Sequence, residues 1–278
     1  MRAEARAKRD AFLDKLKSRP AVMGILNLTP DSFSDGGRFQ AFDAAIAHAK
    51  AMAVAGCDVV DIGGESTRPS AIPVTQAEEL ARVEQVLTAL AGILDVPLSI
   101  DTSKAAVAAR AVETGAVVIN DVWGLQKDPD MAAVVAETGA AVVIMHNRAE
   151  RDESVDIFAD IRRFFDRSLA LAEQAGIPKE VMILDPGIGF GKTSRQNVEA
   201  VSRIPDLKDY GLPILIGTSR KAFLGSLTGD GIEATLIGTV AANLVAAAAG
   251  ASIFRVHDVA EHVAALRIFH AMHADRGR

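Results

Sequence analysis

Short, mostly apolar runs alternate along the chain with longer stretches in which apolar residues recur every three or four positions. The run at 181–184 is too short and too uniformly apolar for a surface helix, and similar short runs lie at 21–26, 58–62, 97–100, 116–119, 140–145, 212–216 and 251–254. They read as strands buried on both faces. Between them lie stripes such as Phe42, Ala45, Ile46, Ala49, Met52 and Ala53, or Val259, Val263, Leu266 and Phe269, spaced for one apolar face of a helix. A glycine stands before most runs, at Gly56, Gly92, Gly115, Gly139, Gly176, Gly211 and Gly250. Glycine accepts the left-handed conformation that stops a helix, so the recurring unit is helix, glycine, short strand, polar residue.

Eight successive strand and helix units in one chain predict an α/β fold of the closed (β/α)₈ barrel type, a TIM barrel, whose ligand sites lie at the carboxyl ends of the strands. The competing architecture is an open doubly wound sheet, which concentrates ligand groups near one switch point. Here polar residues end almost every strand: Asn27, Glu65, Asp101, Asn120, His146, Asp185, Ser219 and Arg255. That distribution favours the barrel. No Pro-rich or Ser-rich linker divides the chain. The expected organisation is a charged helical arm over 1–19, one barrel over 20–272 and a short tail over 273–278.

The 30 Lys and Arg against 36 Asp and Glu, a net charge of -6, argue against a nucleic-acid surface. An anionic ligand must then be held by local groups. The single cysteine, Cys57, excludes an internal disulfide, fits a reducing compartment and reads as an inert packed residue. The N-terminal arm lacks the apolar segment of a secretory signal. The uncharged stretch 234–254 is nominally long enough for a membrane span. Its composition, mostly Ala with Thr235, Thr239, Asn243 and a dividing Gly250, reads better as a buried helix followed by a buried strand. A cytoplasmic protein without membrane or nucleic-acid partners is the expectation.

The strand ends supply the candidate chemistry. Asp101, Asn120, Asp185 and Lys221 offer two carboxylates, an amide and an ammonium, enough to recognise a planar heterocycle whose amino and imino groups present parallel donors to a carboxylate. Arg255 and His257 alternate at the end of the last strand and point the same way, as a small cationic pocket for phosphate. For each residue alone a capping or turn role is an equal competitor, and His257 is also readable as a structural histidine. His146 at its strand end stays unassigned, while His48, His262, His270 and His273 fall in helical stretches. The run from Gly187 to Thr193 fails as a nucleotide-binding P-loop, because three residues rather than four separate Gly187 from Gly191 and Lys192. No zinc signature is present, and no glycine-flanked nucleophile. A Mg²⁺ ion held through Asn27 and a diphosphate remains open. So does the role of the long loop from Asn27 to Gly37, since loops of that length are usually functional or disordered.

Seven segments in order, Met23-Gly-Ile-Leu-Asn-Leu-Thr-Pro-Asp-Ser-Phe-Ser-Asp-Gly-Gly37, Asp61-Ile-Gly-Gly-Glu-Ser-Thr-Arg-Pro69, Ser99-Ile-Asp-Thr102, Ile119-Asn-Asp121, Asp185-Pro-Gly-Ile-Gly-Phe-Gly-Lys192, Ser219-Arg-Lys221 and Arg255-Val-His257, resemble the signatures of the dihydropteroate synthase family. The resemblance runs from about Pro20 to Met272. It implies a (β/α)₈ transferase of folate biosynthesis and a sulfonamide target. Such an enzyme joins a dihydropterin methyl diphosphate to p-aminobenzoate, releasing diphosphate, by a dissociative substitution. By motif it implies that Asp101, Asn120, Asp185, Lys221 and Arg255 hold the pterin. Asn27, Thr67, Arg68, Arg255 and His257 would hold the diphosphate, and Phe33, Thr67, Arg68, Pro69, Phe190 and Ser219 the p-aminobenzoate. Asn27 would bind Mg²⁺, with Asp35 ordering the closed loop, and the catalytic set would be Asp101, Lys221, Arg255, His257 and Asp35. It also suggests a homodimer through the later helices. The segment 147–153 departs from the family pattern, which commonly continues Met-Gln-Gly after the histidine. Two alternatives compete: a barrel that passes a methyl group from a reduced folate to a corrinoid protein, with no need of the loop carrying Asp31 to Asp35, and a non-catalytic pterin-binding relative.

Overall fold

The computed structural model describes residues 1–28, 38–66, 72–228 and 232–274. Eight parallel strands are present among them: β1 (Ala21–Asn27), β2 (Val59–Gly63), β3 (Leu98–Asp101), β4 (Ala116–Asp121), β5 (Ala141–Met145), β6 (Met182–Asp185), β7 (Leu215–Ile216) and β8 (Ile253–Val256). The order is β6-β5-β4-β3-β2-β1-β8-β7, with every ladder parallel. A bridge between Leu184 and Ile214, with Leu184 N–H donating to Pro213 O at 3.0 Å, joins the two ends and closes the barrel. β1 through β7 are buried along almost their whole length, as runs covered on both faces must be.

The helices are α1 (Ala3–Lys15), α2 (Arg38–Ala55), α3 (Gln76–Ile93), α4 (Ala105–Thr114), α5 (Met131–Thr138), α6 (Ile157–Ala175), α7 (Ser194–Ser202), α8 (Ala222–Thr228), α9 (Ile232–Ala249) and α10 (Val259–Ala274). Their starts have local causes. Thr75 with Glu78 and Thr193 with Gln196 form capping boxes before α3 and α7, and the Asp156 carboxylate accepts from the N–H groups of Phe158 and Ala159 before α6. α6 stops at Gly176, whose φ of 78° is left-handed.

Three sequence expectations shift. β7 is a pair of residues rather than the run 212–216, because Pro213 has no N–H to give a ladder and Ile214 takes part only in an isolated bridge to Leu184 and serves as an acceptor for Ser252 and Ile253. β6 begins at Met182, since Val181 ends a short 3₁₀ turn. The stretch 234–254 is a helix and a strand as expected, but α9 is not wholly buried: Ile237 and Val245 stand exposed. Among the described residues no helix is long and apolar enough to cross a membrane. Cys57 is buried, and burial pushes its thiol up to about 12, so it is an inert packed residue.

The arm lies across the amino-terminal ends of the strands, opposite the polar strand ends. Phe12 and Leu16 enter the core. Lys8 donates to Leu94 O at 3.3 Å and Arg9 donates to Gly139 O, two carbonyls just ahead of β3 and β5. Asp58, at the entry to β2, accepts from Lys15 Nζ at 2.9 Å, Arg19 Nη2 at 2.6 Å and Val22 N–H at 3.0 Å. Burial pushes the Asp58 carboxyl up, but those hydrogen bonds outweigh it and hold the group below the ordinary carboxylate range.

Asp58 is buried while its two cations are half exposed, so the Coulomb gain is screened and the bonds to the carboxylate carry most of the effect. Asp58→Asn should cost about 1–3 kcal/mol of stability at pH 7. A carboxyl with a depressed pKa stabilises the fold above its unfolded value and loses that contribution as pH falls. The gap between wild type and Asp58→Asn in denaturant melts should therefore close below about pH 4.

Candidate functional site

The carboxyl ends of the strands surround a cavity of about 60 Å³ lined by Ile25, Asp101, Asn120, Val122, Met145, Asp185, Phe190, Gly217, Ser219, Lys221, Arg255 and His257. The fold thus brings Asp101, Asn120, Asp185, Lys221, Arg255, His257, Phe190 and Ser219 together from five strands and their loops. Asn27 ends β1 with its Oδ1 over Gly63. Phe33, Asp35, Thr67, Arg68 and Pro69 lie outside the described residues. A second cavity, about 120 Å³, sits under α1 and is lined by Arg2, Lys8, Leu94 and Glu113 among others. It gathers none of the polar strand ends, so size does not select the site; convergence of charge does.

Arg255 is the centre of the polar network. Its Nε donates to Asp61 Oδ2 at 2.7 Å and its Nη2 to Asp101 Oδ2 at 2.6 Å. Asn120 Nδ2 donates to the same Asp61 oxygen at 3.0 Å. The other oxygens, Asp61 Oδ1 and Asp101 Oδ1, are buried without a partner. Burial drives the Asp101 carboxyl up to about 7; Arg255 opposes this, while Asp61, Glu79 and Asp121 add to it. The cation of Arg255 is therefore already shared between two carboxylates, so the cationic pocket expected from Arg255 and His257 is partly neutralised from within. His257 Nδ1 lies 3.0 Å from Ser219 Oγ, and its backbone N–H donates to that oxygen at 3.1 Å.

On the opposite wall, Asp185 Oδ1 accepts from Gly187 N–H at 2.7 Å, so the carboxylate also fixes its own turn. Burial raises Asp185 from its ordinary value, against the Gly187 N–H and the cations of Lys221, Lys192 and Arg255. Lys221 donates to Ile188 O and stands 4.2 Å from the centre of the Phe190 ring. Burial lowers its amine to about 8, with Asp185 pulling the other way. The segment bearing Ser219 and Lys221 is set by α9. Thr218 Oγ1 donates to Asn243 Oδ1 at 2.7 Å and Arg220 N–H to Thr239 Oγ1 at 3.3 Å, which accounts for two buried polar residues in an otherwise apolar helix. Arg220 itself takes a left-handed φ of 56° there.

Two strand-end residues turn away from the cavity. Glu65 pairs with Lys104 at 2.5 Å, and Lys104 also pairs with the fully buried Glu79 at 2.6 Å. His146 is buried behind β5, its Nε2 3.2 Å from Asp160 Oδ2 and its Nδ1 2.8 Å from Lys192 Nζ. The divergent segment after it is packed: Asn147 Nδ2 donates to Val122 O at 2.8 Å, and Arg148 lies 3.4 Å from Asp160. Sequence reasoning misses Asp61 and Lys192. Asp61 sits inside an apolar run rather than at its end, and a charge within a doubly buried strand is itself a signal that a partner waits there.

An eight-stranded barrel whose carboxyl face gathers carboxylates, an amide and two cations offers the donors and acceptors that a flat, nitrogen-rich ring requires. The pattern of the family described as "Pterin binding enzyme" matches residues 23–257. The dihydropteroate synthase of Clostridium beijerinckii is 45% identical over 251 residues, covering 90% of this chain and 93% of that protein. A crystal structure of the Clostridium difficile dihydropteroate synthase in the presence of pteroic acid superposes with a TM-score of 0.89 at 47% identity, over 92% of this chain and 97% of that one. The Xanthomonas albilineans dihydropteroate synthase with 4-aminobenzoic acid gives 0.88 at 46% identity, over 92% and 94%. The chain belongs to the pterin-binding enzymes and, within them, to the dihydropteroate synthase family.

Removing the Asp61 charge while keeping its shape should lower the Asp101 titration, because one of the carboxylates that raise it is gone. Carboxyl stretching in infrared difference spectra of wild type and Asp61→Asn across pH 5–9 reads this out. An unchanged Asp101 transition would mean that the Asp61 charge takes no part in raising it.

Proposed function

We propose that this chain joins (7,8-dihydropterin-6-yl)methyl diphosphate to p-aminobenzoate, releasing diphosphate and 7,8-dihydropteroate, by a dissociative substitution at the pterin methylene. The observation that carries the reading is the meeting of Asp101, Asn120, Asp185 and Lys221 around one cavity. Asp185, flanked by Lys221 and Lys192, accepts from the amino and imino edge of the ring, and Asn120 and Lys221 complete the ring's donors and acceptors. A site of desolvated polar groups rejects rings that leave them unpaired.

In the substitution, the C–O bond between the methylene and the diphosphate breaks first, with its electron pair leaving on oxygen. Positive charge appears on the methylene and spreads into the ring. Asp101 stabilises that cation, and its unpartnered Oδ1 is the oxygen available for it. Arg255 and His257 meet the negative charge growing on the leaving group. The amine nitrogen of p-aminobenzoate then bonds to the methylene and gives up a proton to solvent. Phe190 and Ser219 form part of the wall for the p-aminobenzoate ring, together with Phe33, Thr67, Arg68 and Pro69; Thr67 and Arg68 also serve the diphosphate. Charged groups fixed in advance act most strongly where water is excluded.

Asn27 would hold a Mg²⁺ ion through its amide oxygen together with the diphosphate, since oxygen donors suit this hard ion, and the ion would supply charge neutralisation to the leaving group. A homodimer through the later helices belongs to the same proposal, supported by the exposed Ile237 and Val245 of α9 and Ile268 and Met272 of α10.

Diphosphate release should require both the pterin diphosphate and p-aminobenzoate; release that ignores p-aminobenzoate, or none at all, overturns the assignment. Asp101→Asn should lower turnover on the order of 100-fold while weakening pterin binding only a few-fold. Equal turnover at saturating substrate removes Asp101 from the mechanism.

A further inference from the structure

Residues 187–191, Gly-Ile-Gly-Phe-Gly, form a loop that serves the site at three points. It gives the Gly187 N–H to Asp185, the Ile188 carbonyl to Lys221 and the Phe190 ring to the face of the same ammonium. Its three glycines all take positive φ, 68°, 84° and 57°, and it packs so closely on the segment after β5 that a Cβ at Gly187 would run into the His146 carbonyl oxygen and one at Gly191 into Arg148. Such a sequence fits its place but does not hold itself there, since glycine loses more freedom on ordering than any other residue.

Lys192 comes directly after the loop and is almost completely buried. Its Nζ lies 2.7 Å from Gly187 O, 3.2 Å from Phe190 O and 2.8 Å from His146 Nδ1. Burial pulls the Lys192 amine well below its ordinary value, with Asp185 and Asp160 opposing, and three acceptors match the three N–H groups that it carries when protonated. With Nδ1 accepting, the neutral imidazole carries its proton on Nε2, 3.2 Å from the Asp160 carboxylate. Burial and the Lys192 charge push His146 down to about 4, which keeps it in that neutral form. Asp160 in turn is held by Arg163 at 2.6 Å and Arg148 at 3.4 Å near the surface. A line of polar contacts thus ties both ends of the glycine loop, through Lys192 and His146, to α6.

We propose that Lys192 is a positioning residue for the pterin and p-aminobenzoate sites: it staples the 187–191 loop so that Asp185, Lys221 and Phe190 keep their geometry, with His146 and Asp160 orienting the staple. The inference rests on the reading of those three residues as substrate contacts. Lys192 does not itself line the cavity and acts through the loop's carbonyls.

The test compares wild type with Lys192→Met, which keeps the stem and removes the donors, and with Asp160→Asn, a partly exposed change two contacts away from Lys192. Binding of 6-hydroxymethylpterin by calorimetry and KM for p-aminobenzoate are measured well below the melting temperature. Lys192→Met should weaken pterin binding and raise the p-aminobenzoate KM by about tenfold each, the loss expected for hydrogen bonds to a charged donor. Asp160→Asn should move both in the same direction by about threefold. The groups facing His146 are Lys192, Asp160 and Arg148, and its imidazole titration, followed by ¹⁵N resonance, should rise in Lys192→Met as a neighbouring cation is lost. Lowered melting temperature with both constants within twofold of wild type would reduce Lys192 to a stability role and overturn the proposal. If Lys192→Met does not fold, unchanged constants in Asp160→Asn do the same. Absence of wild-type activity with pterin binding intact would strike at the assigned reaction instead, leaving the loop measurement readable.

Discussion

The Arg255 guanidinium is held by carboxylates from two other strands, a contact that ties the last strand of the sheet to two early ones. β8 carries the cation, β2 and β3 the two aspartates, and β1 separates them in the sheet. Each charge there would be too costly to bury alone. Asp61, Asp101 and Asp185 share this face with Arg255, Lys221 and Lys192, and burial pulls the carboxyls of Asp101 and Asp185 up and the amines of Lys221 and Lys192 down, so charges of both signs are weakened together. The arrangement leaves oxygens of Asp61 and Asp101 unpartnered, and a ligand rich in N–H groups can complete what the protein leaves incomplete.

Burial also brings two of these titrations near physiological pH. Burial brings Asp101 up to about 7 and Lys221 down to about 8, so a carboxyl and an amine of ordinarily distant pKa lie close together. A small change in local charge, such as a departing anion, is felt strongly by groups poised in this way. The polar residues of α9, Thr239 and Asn243, belong to the same design, since they fix the segment from which Lys221 projects.

Much of this was legible along the chain for a specific reason. Doubly buried strands are short apolar runs, and a polar residue placed at the end of such a run has nowhere to go but the barrel's open face, which is how Asp101, Asn120, Asp185 and Arg255 could be gathered from residue order alone. Direction was not legible. Glu65 and His146 satisfy the same pattern yet turn outward, one to Lys104 and the other to Lys192, because the loop after each strand decides where its last side chain points. Asp61 escaped notice because it is flanked by apolar residues and its partner lies nearly two hundred positions away. Lys192 was visible only as a failed phosphate loop; its three acceptors come from a local backbone path that spacing alone does not draw.

The pairing of Ala21 with Ile253 joins the first strand to the last. On a ribosome the amino-terminal strand therefore emerges long before its second neighbour exists, and β2 can satisfy only one of its edges. Arg9 likewise waits for the carbonyl of Gly139. Completion of the ring is governed by contacts far apart in sequence and is correspondingly slow. Until then the nascent protein carries an open, apolar edge of the kind that invites pairing with a neighbour, and the interval before closure is when it depends most on being kept apart from its copies.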